Sequence, residues 1–214
     1  MIPLLHDFEG ETVLVFGGGA VGARKARRFA REARVIVISP TFGDDAFGNA
    51  ELVRAAPTPK DVAGWIERAS PALAIAATDD EAINEAVVAA CDRHDVLVNR
   101  ADRSGSDTDG VVVPATVRHD PVVVAVSTGG YSPALSKTLR QWIEDDLDGA
   151  GEMARLTGDL RSELKAAGVP PDQRRDAVRT VVASSRVWKA LRTGNTNPEQ
   201  VVEDVVNPVL DNDP

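Results

Sequence analysis

Thr12-Val13-Leu14-Val15-Phe16-Gly17-Gly18-Gly19-Ala20-Val21-Gly22-Ala23-Arg24-Lys25 begins as an apolar, β-favouring run and ends as a helix start. A run that is apolar at every position is the pattern of a strand covered on both faces, as in a parallel sheet. Between strand and helix stands Gly17-x-Gly19-x-x-Gly22, the spacing of a dinucleotide-binding turn in its strand–turn–helix setting. Each glycine has its own task. Gly17 permits the tight turn, Gly19 lets a pyrophosphate approach the backbone, and Gly22 lets the helix lie close on the strand. The helix from Ala20 aims unpaired N–H groups and a partial positive charge at such an anion. The bland alternative is a glycine-rich turn that binds nothing.

Working outward, Arg34-Val35-Ile36-Val37-Ile38-Ser39 reads as a second buried strand. A dinucleotide site usually presents Asp or Glu at this strand's end, to hold the ribose 2′-OH. Here the chain has Ser39, then Pro40 and Thr41. A hydroxyl still bonds a ribose, but the charge-assisted part, about 1 kcal/mol, is lost. That points to a weakly held, exchangeable co-substrate. No arginine follows the strand closely to meet a 2′-phosphate, so NAD rather than NADP is the expected cofactor. Asp44 and Asp45 lie too far into the next loop to replace the missing acid.

Glu51–Ala56 reads as a short third strand, Asp61–Ala69 as a helix, and Ala72–Thr78 as a fourth, fully buried strand. It stops at Thr78-Asp79-Asp80, before a helix over Glu81–His94. In a doubly wound sheet, ligands sit at the carboxyl ends of strands near the switch in strand order, where Thr78 and Asp79 fall. Asp79 also reads as the helix cap. Cys91 reads as core and His94 as a favoured C-terminal helix residue. Val96–Asn99 is a fifth strand, followed by Arg100, Ala101, Asp102 and a polar loop from Arg103.

The pattern then changes. Val111–Val117 and Pro121–Ser127 flank a turn at Arg118-His119-Asp120-Pro121, which predicts a hairpin rather than a further βα unit. Ser132 suits an N-cap and Pro133 a first helical residue, opening a helix to about Leu147. Gly129 and Gly130, with that helix start, read either as a carboxylate site or as a flexible joint. Helices are expected over Met153–Ala167, Pro171–Arg192 and Pro198–Leu210. The expected architecture is α/β: a Rossmann-type doubly wound parallel sheet over residues 1–110, a hairpin-and-helix segment over 111–149, and an α-helical domain over 150–214.

Composition narrows the function. The chain has 214 residues and a formal net charge of −9, which argues against general nucleic-acid binding. Asp outnumbers Glu and Arg outnumbers Lys, a surface suited to a high-salt interior, where self-repulsion is screened. The single Cys91 excludes an intrachain disulfide or a multi-cysteine metal site. His6, His119 and Asp102 lack metal-ligand spacing, so no tight metal site is expected. No apolar run reaches the ~20 residues that span a bilayer, and the N-terminus lacks a basic signal segment. A soluble cytoplasmic protein is the expectation.

An ordered set of motifs then carries a resemblance. They are Gly17-Gly18-Gly19 with Ala23-Arg24-Lys25-Ala26; Ala74-Ile75-Ala76-Ala77-Thr78-Asp79-Asp80 with Asn84; Asn99-x-x-Asp102; Val113-Pro114; and Val124-Ala125-Val126-Ser127-Thr128-Gly129-Gly130-x-Ser132-Pro133. Across residues 12–140 this set resembles the precorrin-2 dehydrogenase family, a module also found at the N-terminus of multifunctional siroheme synthases. The resemblance implies NAD-dependent oxidation of precorrin-2 to sirohydrochlorin by a homodimer, with ferrous iron insertion in some members.

Position by position, the resemblance implies that Gly17, Gly18, Gly19, Ala20 and Val21 contact the pyrophosphate. Ser39, Pro40 and Thr41 then face the adenosine ribose, Thr78, Asp79 and Asn99 flank the cofactor, and Asp102 carries the chemistry. Arg100, Arg103, Thr128, Gly129, Gly130 and Lys137 are the substrate-side candidates for a tetrapyrrole polyacid, with Arg118 and Arg140 nearby in sequence. The chain departs from the family at Ala20, where an acidic residue is common, and in the short turn Glu32-Ala33-Arg34. It also departs at Thr128 and Tyr131, where small hydroxyl residues are frequent. Two rival readings stand beside this one. A nucleotide-sensing regulatory module would need a helix-turn-helix, basic stripe or membrane segment to couple to, and none is evident. A dehydrogenase of small substrates would usually carry the acid that Ser39 replaces.

Overall fold

The computed structural model describes residues 2–101, 110–194 and 196–210. The chain forms two compact units, one of Met1–Val113 with Gly129–Tyr131, the other of Pro114–Thr128 with Ser132–Pro214.

In the first unit, β1 (Thr12–Phe16), β2 (Arg34–Ser39), β3 (Glu51–Arg54), β4 (Leu73–Ala76) and β5 (Leu97–Arg100) form one parallel sheet in the order β3-β2-β1-β4-β5. Helix α1 (Ala20–Phe29) joins β1 to β2, α2 (Val62–Ala69) follows β3, and α3 (Glu81–His94) follows β4. The central strand explains its own composition. Val13 and Val15 pack with Ala23 and Ala26 of α1, while Leu14 and Phe16 pack with Ile66 of α2 and Val87 and Cys91 of α3. With a core on each face, a polar side chain at any position from Val13 to Phe16 would be buried. Each of these large apolar side chains contributes about 1.5–3 kcal/mol by leaving water. The sheet grows one way from β1 to β2 and the other way from β1 to β4, so the crevice at the carboxyl ends of β1 and β4 is the topological switch point.

β1 and β2 begin and end where the sequence pattern puts them. Helix α1 ends at Phe29, whose carbonyl then accepts from both the Glu32 and the Ala33 N–H groups, at 3.1 and 2.8 Å, in the turn that leads to β2. Asp80, not Asp79, caps α3: its carboxylate accepts from the N–H groups of Ala82 and Ile83 at 2.9 and 3.3 Å. The run Val111–Val117 does not all enter the hairpin. Gly110 bridges Asn99 in antiparallel fashion, and the Val111 N–H donates to the Val98 carbonyl at 2.8 Å.

The second unit opens with the antiparallel hairpin β6 (Ala115–His119) and β7 (Val122–Val126), in the register Val117↔Val124. Helices α4 (Pro133–Asp146), α5 (Ala150–Ala166), α6 (Pro171–Ala183), α7 (Ser185–Thr193) and α8 (Pro198–Leu210) follow. Ser132 caps α4, its hydroxyl accepting from the Leu135 N–H at 3.2 Å. The single helix expected over Pro171–Arg192 divides at Ser184, which leaves helical geometry at ψ 111° and accepts from the Val187 N–H at 3.4 Å. A serine side chain competing for backbone donors ends one helix and starts the next. Met153, Ala177, Val181, Val187, Ala190, Val201, Val202 and Val206 make the core of this unit. No residue of α4 is fully buried, and its Leu135 and Trp142 are 47% and 62% exposed. Among the described residues, no helix is long and apolar enough to cross a membrane.

Candidate functional site

The turn from β1 into α1 is built by its glycines, and they are not equivalent. Gly17 has φ +118°, and a Cβ there would lie 2.3 Å from the carbonyl oxygen of Ala77, the residue that continues β4. A Cβ on Gly18 would lie 2.2 Å from the Thr41 carbonyl oxygen, and one on Gly22 would lie 2.0 Å from the Gly17 carbonyl oxygen. The fold itself therefore demands glycine at 17, 18 and 22. A Cβ on Gly19, in contrast, would meet nothing within 4 Å. Gly19 is exposed and is the N-cap residue of α1, with no side-chain cap and no acidic residue in the first helical turn. Ala20 and Val21 continue this unobstructed helix end. Open backbone, free N–H groups and the positive end of a helix dipole together fit the pyrophosphate of a dinucleotide.

The exits of β4 and β5 are held by side chains. Asn84, 1% exposed, clasps Thr78: its amide nitrogen donates to the Thr78 carbonyl at 3.0 Å, and its Oδ1 accepts from the Thr78 hydroxyl at 2.8 Å. Asp79, beside this clasp, is exposed. Asn99 faces α1, where its Oδ1 accepts from the Lys25 ammonium at 2.9 Å, while its Nδ2 donates to the Val111 carbonyl at 2.7 Å. Burial, reinforced by Arg28 and Arg24, lowers the Lys25 pKa to about 8. Arg100 points to the opposite face, where its side chain is 3% exposed and meets Glu81 at 3.3 Å. Neither Lys25 nor Asn84 carries a signal in the sequence beyond membership of those motifs.

At the end of β2, Ser39 is buried against Gly18, and Pro40 and Thr41 are exposed. Arg54 is the register partner of Ser39 across the β2–β3 pair. Its guanidinium donates to the Pro40 carbonyl at 3.1 Å and lies 5.6 Å from the Phe42 ring centroid. Arg54 is not among the residues that follow β2 in sequence; sheet register brings it there from the next strand.

Asp102 and Arg103 lie outside the described residues. In the second unit, Thr128 is tied into the start of α4: its hydroxyl donates to the Ser132 carbonyl and accepts from the Ser132 N–H, each at 3.1 Å. Gly129 and Gly130 both have positive φ, 61° and 84°. Lys137 is exposed on α4, Arg118 pairs with Asp120 at 3.6 Å, and Arg140 pairs with Glu144. No group of three or more His, Cys, Asp or Glu side chains is placed to hold a metal ion among the described residues.

Comparison with known proteins bears on this site. A family model described as putative NAD(P)-binding matches residues 4–115. Precorrin-2 dehydrogenase of Methanosarcina barkeri is 33% identical over 199 residues, covering 89% of this chain and 86% of that protein. Siroheme synthase of Stutzerimonas stutzeri is 35% identical over 181 residues, 81% of this chain but 37% of that protein, so the chain spans little more than a third of that relative's length. The solved structure of SirC, precorrin-2 dehydrogenase, superposes with a TM-score of 0.70 over 97% of this chain and 100% of that one, at 21% identity, a likeness of fold. With an open glycine turn at the switch point of its sheet, a putative NAD(P)-binding model over half the chain and a relative this similar over nearly its whole length, the chain belongs to the precorrin-2 dehydrogenase family.

Proposed function

We propose that this chain catalyses the NAD-dependent oxidation of precorrin-2 to sirohydrochlorin. The observation that carries the reading is the contrast among the glycines, in which 17, 18 and 22 are required by the fold and Gly19 is left open to a ligand. Gly17, Gly18, Gly19, Ala20 and Val21 would hold the pyrophosphate, Ser39, Pro40 and Thr41 the adenosine ribose, and Thr78 and Asp79 the nicotinamide side. When bound, the nicotinamide supplies the acceptor for a hydride.

The chain's own work is alignment and proton handling. The Lys25–Asn99–Val111 linkage holds the exit of β5 against α1. The Asn84 clasp shapes the exit of β4. Asp102, which follows β5 in sequence, is assigned the proton that leaves the macrocycle, a general-base role worth about 10²–10⁴-fold in rate. Arg103, Thr128, Gly129, Gly130 and Lys137 are assigned to the substrate carboxylates. Arg100, already buried against Glu81, ties β5 to α3 in this account. The test is anaerobic addition of precorrin-2 and NAD to the purified chain, with NADH followed by its absorbance.

We also propose a homodimer formed through β6, β7 and α4. A two-stranded hairpin is marginal alone, and α4 leaves Leu135 and Trp142 in solvent. Sedimentation equilibrium should give twice the chain mass, and Trp142→Glu should shift it towards the monomer. A monomeric wild type would end the dimer proposal without touching the catalytic one.

A further inference from the structure

The adenosine end of the site has a charge that its sequence did not disclose. An acidic residue at the end of β2 does two things in a dinucleotide site: it accepts the ribose hydroxyls, and it repels a 2′-phosphate. This chain has Ser39 there, so the repulsion is absent. Beside Ser39, in register, stands Arg54, with its guanidinium held at the Pro40 carbonyl by one nitrogen at 3.1 Å. Phe42 lies 5.6 Å away and helps fix its plane. The planar fork of a guanidinium has donors to spare after one such bond, and it suits phosphate better than any other side chain.

The neighbouring charges are mixed. The Ala55 N–H donates to the Ser39 carbonyl at 3.1 Å, and Ala55 begins the wall of an open hollow of about 450 Å³. Lys60, Trp65 and Arg68 line that hollow. Its one carboxylate, Asp61, accepts from the Thr58 N–H and hydroxyl at 2.8 and 2.6 Å, bonds that favour its ionised form, so the hollow carries two cations to one anion. Asp44 and Asp45, the first acids after β2, make no ion pair with Arg54 among the described residues.

We propose that Arg54 lets the adenosine end of this site accept a 2′-phosphate, so that the chain binds NADP as well as NAD. The inference rests on the glycine turn being a dinucleotide site and is independent of the tetrapyrrole. Titration calorimetry of the full chain with NAD, NADP, 5′-AMP and 2′,5′-ADP tests it without any turnover. NADP should bind within threefold of NAD or tighter, and 2′,5′-ADP should bind more tightly than 5′-AMP. Arg54→Ala should lower the NADP-to-NAD affinity ratio about tenfold, the loss of one charge-assisted phosphate contact, with Arg54→Lys recovering part of it. Raising the salt should lower the same ratio, because the guanidinium is exposed. NAD binding with NADP a hundredfold weaker would overturn this inference alone, as would an Arg54→Ala variant whose ratio is unchanged. Binding of neither dinucleotide would overturn the parent reading with it.

Discussion

The ammonium of Lys25 donates to the side-chain carbonyl of Asn99 across the gap between α1 and β5, at 2.9 Å. The bond gives a half-buried cation a polar partner, but not a negative one. Burial and the neighbouring Arg28 and Arg24 accordingly lower its pKa to about 8, against an ordinary 10.5. Between those two values the unfolded chain binds more protons at this site than the folded chain does, so stability rises with pH. Below pH 8 the charged ammonium bears its full desolvation cost in the fold. Relative to Lys25→Met, the wild type should therefore gain stability as pH is raised from 8 to 10. The gain should be about 1–2 kcal/mol after allowance for solvent screening. Denaturant unfolding of both proteins at matched pH values checks this, and a gap that stays constant with pH would contradict it.

The glycine turn makes a sharper prediction, because its members separate folding from binding. Gly17→Ala combines positive φ with a carbonyl clash, and Gly22→Ala meets the Gly17 carbonyl, so both should lower stability by several kcal/mol or prevent folding. Gly19→Ala should fold with a midpoint close to wild type, yet weaken dinucleotide binding at least tenfold, because its methyl would occupy the space left open for the ligand. Thermal melts and NADH-fluorescence titration distinguish the two behaviours.

Cys91 is buried in the core between the sheet and α3, and burial, with Asp92 close by, pushes its thiol pKa up to about 12. A buried thiol with almost no thiolate is inert. A disulfide-exchange reagent should leave it unmodified in the folded protein and titrate it fully in guanidinium. Rapid labelling of the native chain would show the core to be open there.

Features set by local pattern are legible in this sequence, and features set by a distant partner are not. β1 and β2 were readable to the residue because both faces of each strand are covered, which leaves an unbroken apolar run with polar punctuation. The glycine turn was readable because its spacing is set locally. What failed required knowledge of a partner. Val111–Val113 has strand character wherever it goes, and only the fold shows Val111 bonded to Val98 rather than running on into the hairpin. The break at Ser184 carries neither glycine nor proline. Arg54 is 14 residues from Pro40 in the chain and arrives by the pairing of β2 with β3. Asp102, which the resemblance singles out, lies outside the described residues.

The most direct measurement is anaerobic: wild-type chain, Gly19→Ala and Asp102→Asn are each given precorrin-2 and NAD, and NADH is followed against sirohydrochlorin. The account predicts one NADH per sirohydrochlorin with the wild type. It predicts a raised requirement for NAD in Gly19→Ala, and a kcat lowered about 10²–10⁴-fold in Asp102→Asn with cofactor affinity kept. A folded wild-type chain that binds NAD but forms no NADH from precorrin-2 would contradict it.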